Sequence, residues 1–213
     1  ALERGIDDAG IGQLVLLGAG NDSFLLRRPD LLERLAVFEV DHPDSQREKR
    51  EKLHALGFEG HPNARFVAVD FEREGAGEAL ARSGFDAARP AFFNWLGVVA
   101  YLTRDAIHAT LRSLRTVSAA GSRIVFDYPI APHLIVREED RARSVEVSRS
   151  TAAVGEPRQA RHVPEELARD VHPLGYEVVE DLSPEAIFAR YFAGRSDGLR
   201  PNPENRLIQL RMT

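Results

Sequence analysis

Short apolar runs, each closed by a glycine or a polar residue and each followed by a helical stretch, recur along this chain and restrict it to one architecture. The first is Gln13-Leu14-Val15-Leu16-Leu17, which ends in Gly18-Ala19-Gly20. The next covers 36–40 and ends at Asp41; a third, 65–69, ends at Asp70; a fourth, 90–95, closes on Asn94-Trp95; a fifth, 122–127, ends at Asp127. Runs this short, flanked by breakers, read as strands buried on both faces rather than as helices. Between them, 31–35, 45–56 and 78–83 read as helices, with Gly57 stopping the second. The stretch 103–118 reads as an amphipathic helix, with Thr103 as its N-cap and Ile107, Leu111 and Leu114 on one face. Strand–helix alternation predicts a parallel sheet covered by helices on both faces. Residues 1–5 read as the tail of a helix stopped by Gly5. The span 129–164 breaks the rhythm: it is charged, carries Gly155-Glu156-Pro157, and reads as an insertion or lid. A helix over 165–174 and strands over 176–180 and 205–212 follow. The expectation is one domain over 1–213, elaborated before its last strands.

Composition removes several function classes. A net charge of −5 gives no bulk attraction for nucleic acid or anionic membrane. The chain has no cysteine, which excludes disulfides, thiol catalysis and cysteine metal sites. No apolar run approaches the roughly 18 residues of a membrane span, and no signal-peptide pattern opens the chain, so the expected compartment is the cytoplasm. Only Lys49 and Lys52 among the 28 basic residues are lysines, and the arginines are scattered rather than clustered. The run 47–52 reads as a solvated helix face.

In open parallel sheets the ligand lies beyond the carboxyl ends of the strands. Glycines at 18 and 20 let the backbone approach a ligand closely, and Asp41, 23 residues beyond Gly18, is spaced to accept both hydroxyls of a ribose. Asp70 is the corresponding acid of the third strand and suits an adenine edge. Two ligands fit this frame, a dinucleotide and S-adenosylmethionine. Position 23 is Ser, so the third glycine of the dinucleotide fingerprint is missing, and Asp22 puts an acid where a pyrophosphate needs amides without a negative neighbour. An acid there suits a ligand with a cationic amino group. The spacing favours S-adenosylmethionine and leaves a nucleotide-dependent oxidoreductase as the rival.

The strings QLVLLGAGNDS, FEVDHPDSQREKREKL, FVAVDFE, FFNWLGVVAYLT and SRIVFDY, with GEP at 155–157 and Arg190-Tyr191-Phe192, resemble the leucine carboxyl methyltransferase family from Gln13 onward. The resemblance implies a class I methyltransferase fold: a Rossmann-like, doubly wound α/β sheet of seven strands with the last antiparallel. It implies S-adenosyl-L-methionine as cofactor and O-methyl transfer to a carboxylate or hydroxyl. The acceptor it implies is a small molecule or, as for one family member, a protein C-terminal carboxylate. By the same resemblance Gly18 lines the methionine part of the cofactor, Gly20 and Asp22 belong to the same cofactor loop, Asp41 takes the ribose, and Asp70 and Phe71 flank the adenine, with Asp70 accepting from the exocyclic amine. Trp95 and Tyr101 are candidate pocket walls.

Three departures stand against the family pattern. Leu96 replaces a Glu that helps hold the cofactor's methionine end, and Phe24 stands near where an Arg is usual. Family members also carry a helical segment of several dozen residues before the first strand, whereas about a dozen precede Leu14 here. Leu96 and the short N-terminal segment favour the first alternative, a degenerate S-adenosylmethionine-binding protein without turnover, with the oxidoreductase second. A carboxylate acceptor needs no general base, and none of the seven histidines has an obvious partner, so no catalytic residue is assigned. Tyr128 is equally compatible with a substrate-side and a core position. No metal site is expected.

Overall fold

The computed structural model describes residues 1–213 apart from 71–73, 154 and 156. The Phe71 expectation therefore lies outside the described residues. Seven strands form one sheet: β1 (Gln13–Leu17), β2 (Ala36–Asp41), β3 (Ala64–Ala68), β4 (Ala91–Trp95), β5 (Arg123–Pro129), β6 (Tyr176–Leu182) and β7 (Asn205–Met212). Their order is β3-β2-β1-β4-β5-β7-β6. β1 pairs in parallel with β2 and β4, and β2 with β3. Where β5 meets β7, Met212 exchanges hydrogen bonds with Gly121 and Ser122, and Ile130 donates to the carbonyl of Glu204. Numbers that rise along β5 fall along β7, so the last strand is antiparallel. The doubly wound α/β sheet agrees with the strand–helix alternation, and its seven strands with an antiparallel last one agree with what the family resemblance implies.

Two compact units divide the chain. The first contains Ala1–Trp95, Ala109–Ile124 and Arg211–Thr213; the second contains Leu96–His108 and Val125–Leu210. In the first, α1 (Leu2–Ala9) leads into β1, which is buried along its whole length. The helix does not stop at Gly5, as its sequence suggests. It ends at Gly10, whose φ of 63° suits a left-handed C-cap. Gly5 serves packing instead, because a Cβ there would come within 2.7 Å of the Ile11 side chain. Two short turns, α2 (Phe24–Arg27) and α3 (Pro29–Leu32), lead into β2; α4 (Pro43–Ala55) then connects β2 to β3, and α5 (Ala76–Arg82) connects β3 to β4.

Along α6 (Arg104–Val117), Ile107, Leu111 and Leu114 are fully buried, and Thr103 Oγ1 accepts the Ala106 N–H at 3.1 Å. Both the face and the cap agree with the periodicity. The second unit holds α7 (Glu138–Ala153), α8 (Pro164–Val171) and α9 (Pro184–Ile187). A sixteen-residue helix inside the charged 129–164 span is not apparent from periodicity, because its inward residues are polar. The hydroxyl of Ser144 meets the carboxylate of Glu204, and Arg161 reaches Ser144 and Ser148 at 3.1 and 2.9 Å. Burial alone would raise the Glu204 pKa, yet Ser144, Arg158 and Arg161 hold it below the usual carboxylate range.

His162 is 1% exposed, and neither ring nitrogen has a hydrogen-bond partner; its ring stands edge-on to Tyr128 at 5.7 Å. Burial, reinforced by the positive charge of Arg104 and by His108 and only partly opposed by Asp170 and Glu166, pushes its pKa down to about 4. The unfolded chain therefore binds a proton near pH 6.5 that the folded chain refuses. His162 thus destabilises the fold progressively as pH drops from about 6.5 toward 4. Urea unfolding at pH 7.5 and pH 5 is expected to differ by about 2 kcal/mol through this residue. His162→Leu should remove that difference, whereas an equal pH dependence in the variant would assign it to other groups.

Candidate functional site

The register of β1 against β2 and β4 brings the carboxyl ends of the strands level. Leu17 pairs with Val40, Leu16 with Asn94, and Asp41 with Ala68. The loop after β1, Asp41 and the residue pair Val69-Asp70 therefore share one sheet edge in the first unit. The loop folds back onto β2: the N–H groups of Gly18 and Ala19 both donate to the carbonyl of Val40, at 2.8 and 3.2 Å. Gly18 and Gly20 have φ of 63° and 42°, a left-handed conformation that side chains rarely adopt, which is why glycines occupy both positions.

Asp41 joins the loop to the strand end. Its Oδ2 accepts the Gly20 N–H at 2.5 Å and its Oδ1 accepts the His42 N–H at 2.7 Å. A carboxylate offers about four acceptor positions, so two remain for a ligand, one on each oxygen. That is the donor–acceptor match for a vicinal diol, and the half-buried position strengthens such bonds relative to open water. A Cβ on Gly20 would meet only the Gly18 carbonyl, at 3.9 Å, so the surface of the loop is open.

The other expected residues divide. Asp22 Oδ1 accepts the Phe24 N–H at 2.7 Å, starting α2, and lies 3.5 Å from Arg27. Its charge is already partnered by the chain itself. Asp70 is half-buried two residues beyond β3, and its carbonyl accepts the Glu74 N–H at 3.0 Å. Trp95 is 3% exposed at the end of β4. Leu96 opens the second unit and is 45% exposed, so it is not a core residue. Tyr128 is fully buried and donates to Asp181 at 2.6 Å; burial first and Asp181 second push its pKa up, which keeps the hydroxyl protonated. That geometry decides for the core reading of Tyr128.

One feature of the site escaped sequence reasoning. Lys49 does not lie on a solvated face. It is buried beside Glu39, with Nζ 2.7 Å from Oε2 but off the hydrogen-bonding direction, and the two side chains are 5% and 1% exposed. Glu39 precedes Asp41 by two residues on β2, and its amide carbonyl accepts the Gln46 side chain at 2.8 Å. Burial raises the Glu39 pKa, Lys49 opposes that shift, and the nearby charges of Asp22 and Asp41 add to it. The sequence signal was the spacing of Gln46, Lys49 and Leu53, which together form the buried face of α4. Among the described residues no group of three or more His, Asp or Glu side chains gathers as a metal site, and no helix is long and apolar enough to cross a membrane.

Residues 1–115 match the family model of leucine carboxyl methyltransferase. YktD of Bacillus subtilis (strain 168), provisionally named as an S-adenosyl-L-methionine-dependent methyltransferase, is 35% identical over 191 residues. That match covers 89% of this chain and 62% of YktD, so the chain spans less than two thirds of that relative's length. Among solved structures, a DUF574 family protein from Streptomyces avermitilis MA-4680 superposes with a TM-score of 0.68 at 18% identity, covering 99% of this chain and 79% of that one. The mitomycin 7-O-methyltransferase MmcR superposes with a TM-score of 0.62 at 17% identity, covering 96% of this chain and 50% of that one. At such identities the likeness concerns the fold.

Proposed function

Because the chain belongs to the leucine carboxyl methyltransferase family, we propose that it is the catalytic region of an S-adenosyl-L-methionine-dependent O-methyltransferase acting on a carboxylate or hydroxyl of a small molecule. The observation that carries this reading is the Asp41 carboxylate, fixed by Gly20 and His42 with one acceptor position free on each oxygen. Asp41 binds the ribose, the Gly18–Gly20 backbone admits the methionine end, and Asp70 receives the adenine amine. The bound cofactor supplies a methyl group already activated as a sulfonium. What the chain must add is in-line placement of the acceptor oxygen and exclusion of water. A carboxylate acceptor attacks without a general base, which agrees with a site in which no histidine is assigned that role.

Leu96 supports a second reading, a relative that keeps cofactor binding but turns over poorly. Its 45% exposure gives a clean test, since a carboxylate there is not forced into the core. Leu96→Glu is expected to leave the melting temperature unchanged and to tighten S-adenosylhomocysteine binding about tenfold, the scale of one hydrogen bond to a charged group. Unchanged affinity would remove Leu96 from the cofactor site. The reading as a whole is tested by calorimetry with S-adenosylmethionine, S-adenosylhomocysteine and NAD. S-adenosylhomocysteine binding without NAD binding is expected, and the reverse would make the chain a nucleotide-dependent oxidoreductase. Release of labelled methyl into a carboxylate library then separates turnover from binding alone.

A further inference from the structure

The second unit contains a cavity of about 710 Å³ that the cofactor reading does not use. Its walls come from the segments after β5, after β6 and before β7. Ile130, Leu134, Ile135 and Phe188 give an apolar lining, and Arg200 and Arg206 add two guanidiniums. The volume falls among sites that take small organic ligands, roughly 300–1,000 Å³. Pro184, Pro201 and Pro203, among its lining residues, each fix one backbone angle.

The arginines set the charge of the occupant. Arg206 is braced from behind: Nε donates to Asp181 Oδ1 at 2.9 Å, Nη2 donates to the Asp181 carbonyl at 3.2 Å, and the buried Tyr128 hydroxyl holds Asp181 Oδ2 at 2.6 Å. Arg206 is thus ion-paired with Asp181, and the brace aims the guanidinium while leaving part of its N–H fork for another acceptor. Arg200 stacks on Phe188, its guanidinium carbon 4.9 Å from the ring centre, and among the described residues it has no carboxylate within ion-pair distance. The lining also carries acidic residues, of which Glu185 feels the charge of Arg206. Asp140 is neutralised by Arg137 at 2.7 Å, Glu185 is tied to Ser183 at the start of α9, and Glu165 is exposed in the first turn of α8.

We propose that this cavity binds an amphiphilic organic carboxylate, its head on Arg206 and Arg200 and its apolar body along Ile130, Leu134, Ile135 and Phe188. A planar fork of donors matches a carboxylate, and the hydrocarbon walls reward an acyl or aryl body. The inference goes beyond the methyl-transfer reading and does not depend on it, because binding is expected with or without cofactor.

Calorimetry on the full chain with decanoate, decanol and decyltrimethylammonium tests it. Decanoate is expected to bind about tenfold or more tighter than decanol, and the cation not to bind. Arg206→Gln should weaken decanoate about tenfold while leaving decanol unchanged. Since that change also removes the partner of Asp181, the exposed Arg200→Gln provides the variant that keeps the fold, with a loss of about threefold for decanoate alone. Equal affinity for decanoate and decanol, preference for the cation, no decanoate binding at millimolar concentration, or variants that leave decanoate affinity unchanged would each overturn the proposal.

Discussion

Asp41→Ala is expected to weaken S-adenosylhomocysteine binding by at least a hundredfold. Two charge-assisted hydrogen bonds to the ribose are each worth about 1.5–3 kcal/mol, and their sum corresponds to a factor of roughly 10² to 10⁴. The same carboxylate also accepts the Gly20 and His42 N–H groups, so its removal loosens the loop after β1. A stability loss of about 1–3 kcal/mol should accompany the affinity loss. Asp41→Asn separates the two effects. Its side-chain oxygen still accepts one backbone N–H, so the fold should be recovered to a greater extent than the affinity. Calorimetry and urea unfolding on all three proteins measure both quantities. Full S-adenosylhomocysteine affinity in folded Asp41→Ala would end the ribose assignment, whatever the rest of the family reading.

Lys49→Met is expected to be strongly destabilising. It leaves Glu39 buried at 1% exposure with no counter-charge, a situation that costs about 3–5 kcal/mol when one partner of a buried pair is removed. For a chain of this size that corresponds to a fall in melting temperature of about 10 °C or more. The double variant Glu39→Leu/Lys49→Met removes both charges and should regain most of the loss, since a buried pair replaced by apolar groups is often neutral. Thermal and urea unfolding of the four proteins of this cycle provide the coupling energy. If Lys49→Met unfolds with the parent, the pair is solvated in solution and contributes nothing to placing the Asp41 strand end.

The candidate site was legible in the chain because its parts are local. Gly18 and Gly20 must be glycine for backbone reasons, and Asp41 and Asp70 follow strands whose apolar runs are visible without a structure. What could not be read there was how much of each side chain is already engaged. The Asp22 carboxylate starts α2 and faces Arg27, and Tyr128 donates to Asp181 across 53 residues of chain. Such partners are set by tertiary packing, which no spacing rule reports.

By itself, the sequence determined the strand order of appearance, the buried face of α6 and the glycine–acid pattern at the strand ends, because each arises from contacts within a few residues or from the backbone of one residue. Only the tertiary structure decided where the polar residues went. Lys49, Glu39, His162 and Glu204 are all at least nine-tenths buried, although their types belong on the surface by composition. Ser144 is likewise buried on α7, a helix without an apolar stripe that packs within the second unit through Glu204 and Arg161. A polar side chain is buried only when a partner or a close-packed wall offsets its desolvation, and the partners of Glu204, namely Ser144, Arg158 and Arg161, lie more than forty residues away in sequence. Hydrophobic periodicity records local demand for burial; it does not record the long-range neighbour that makes burial of a charge tolerable.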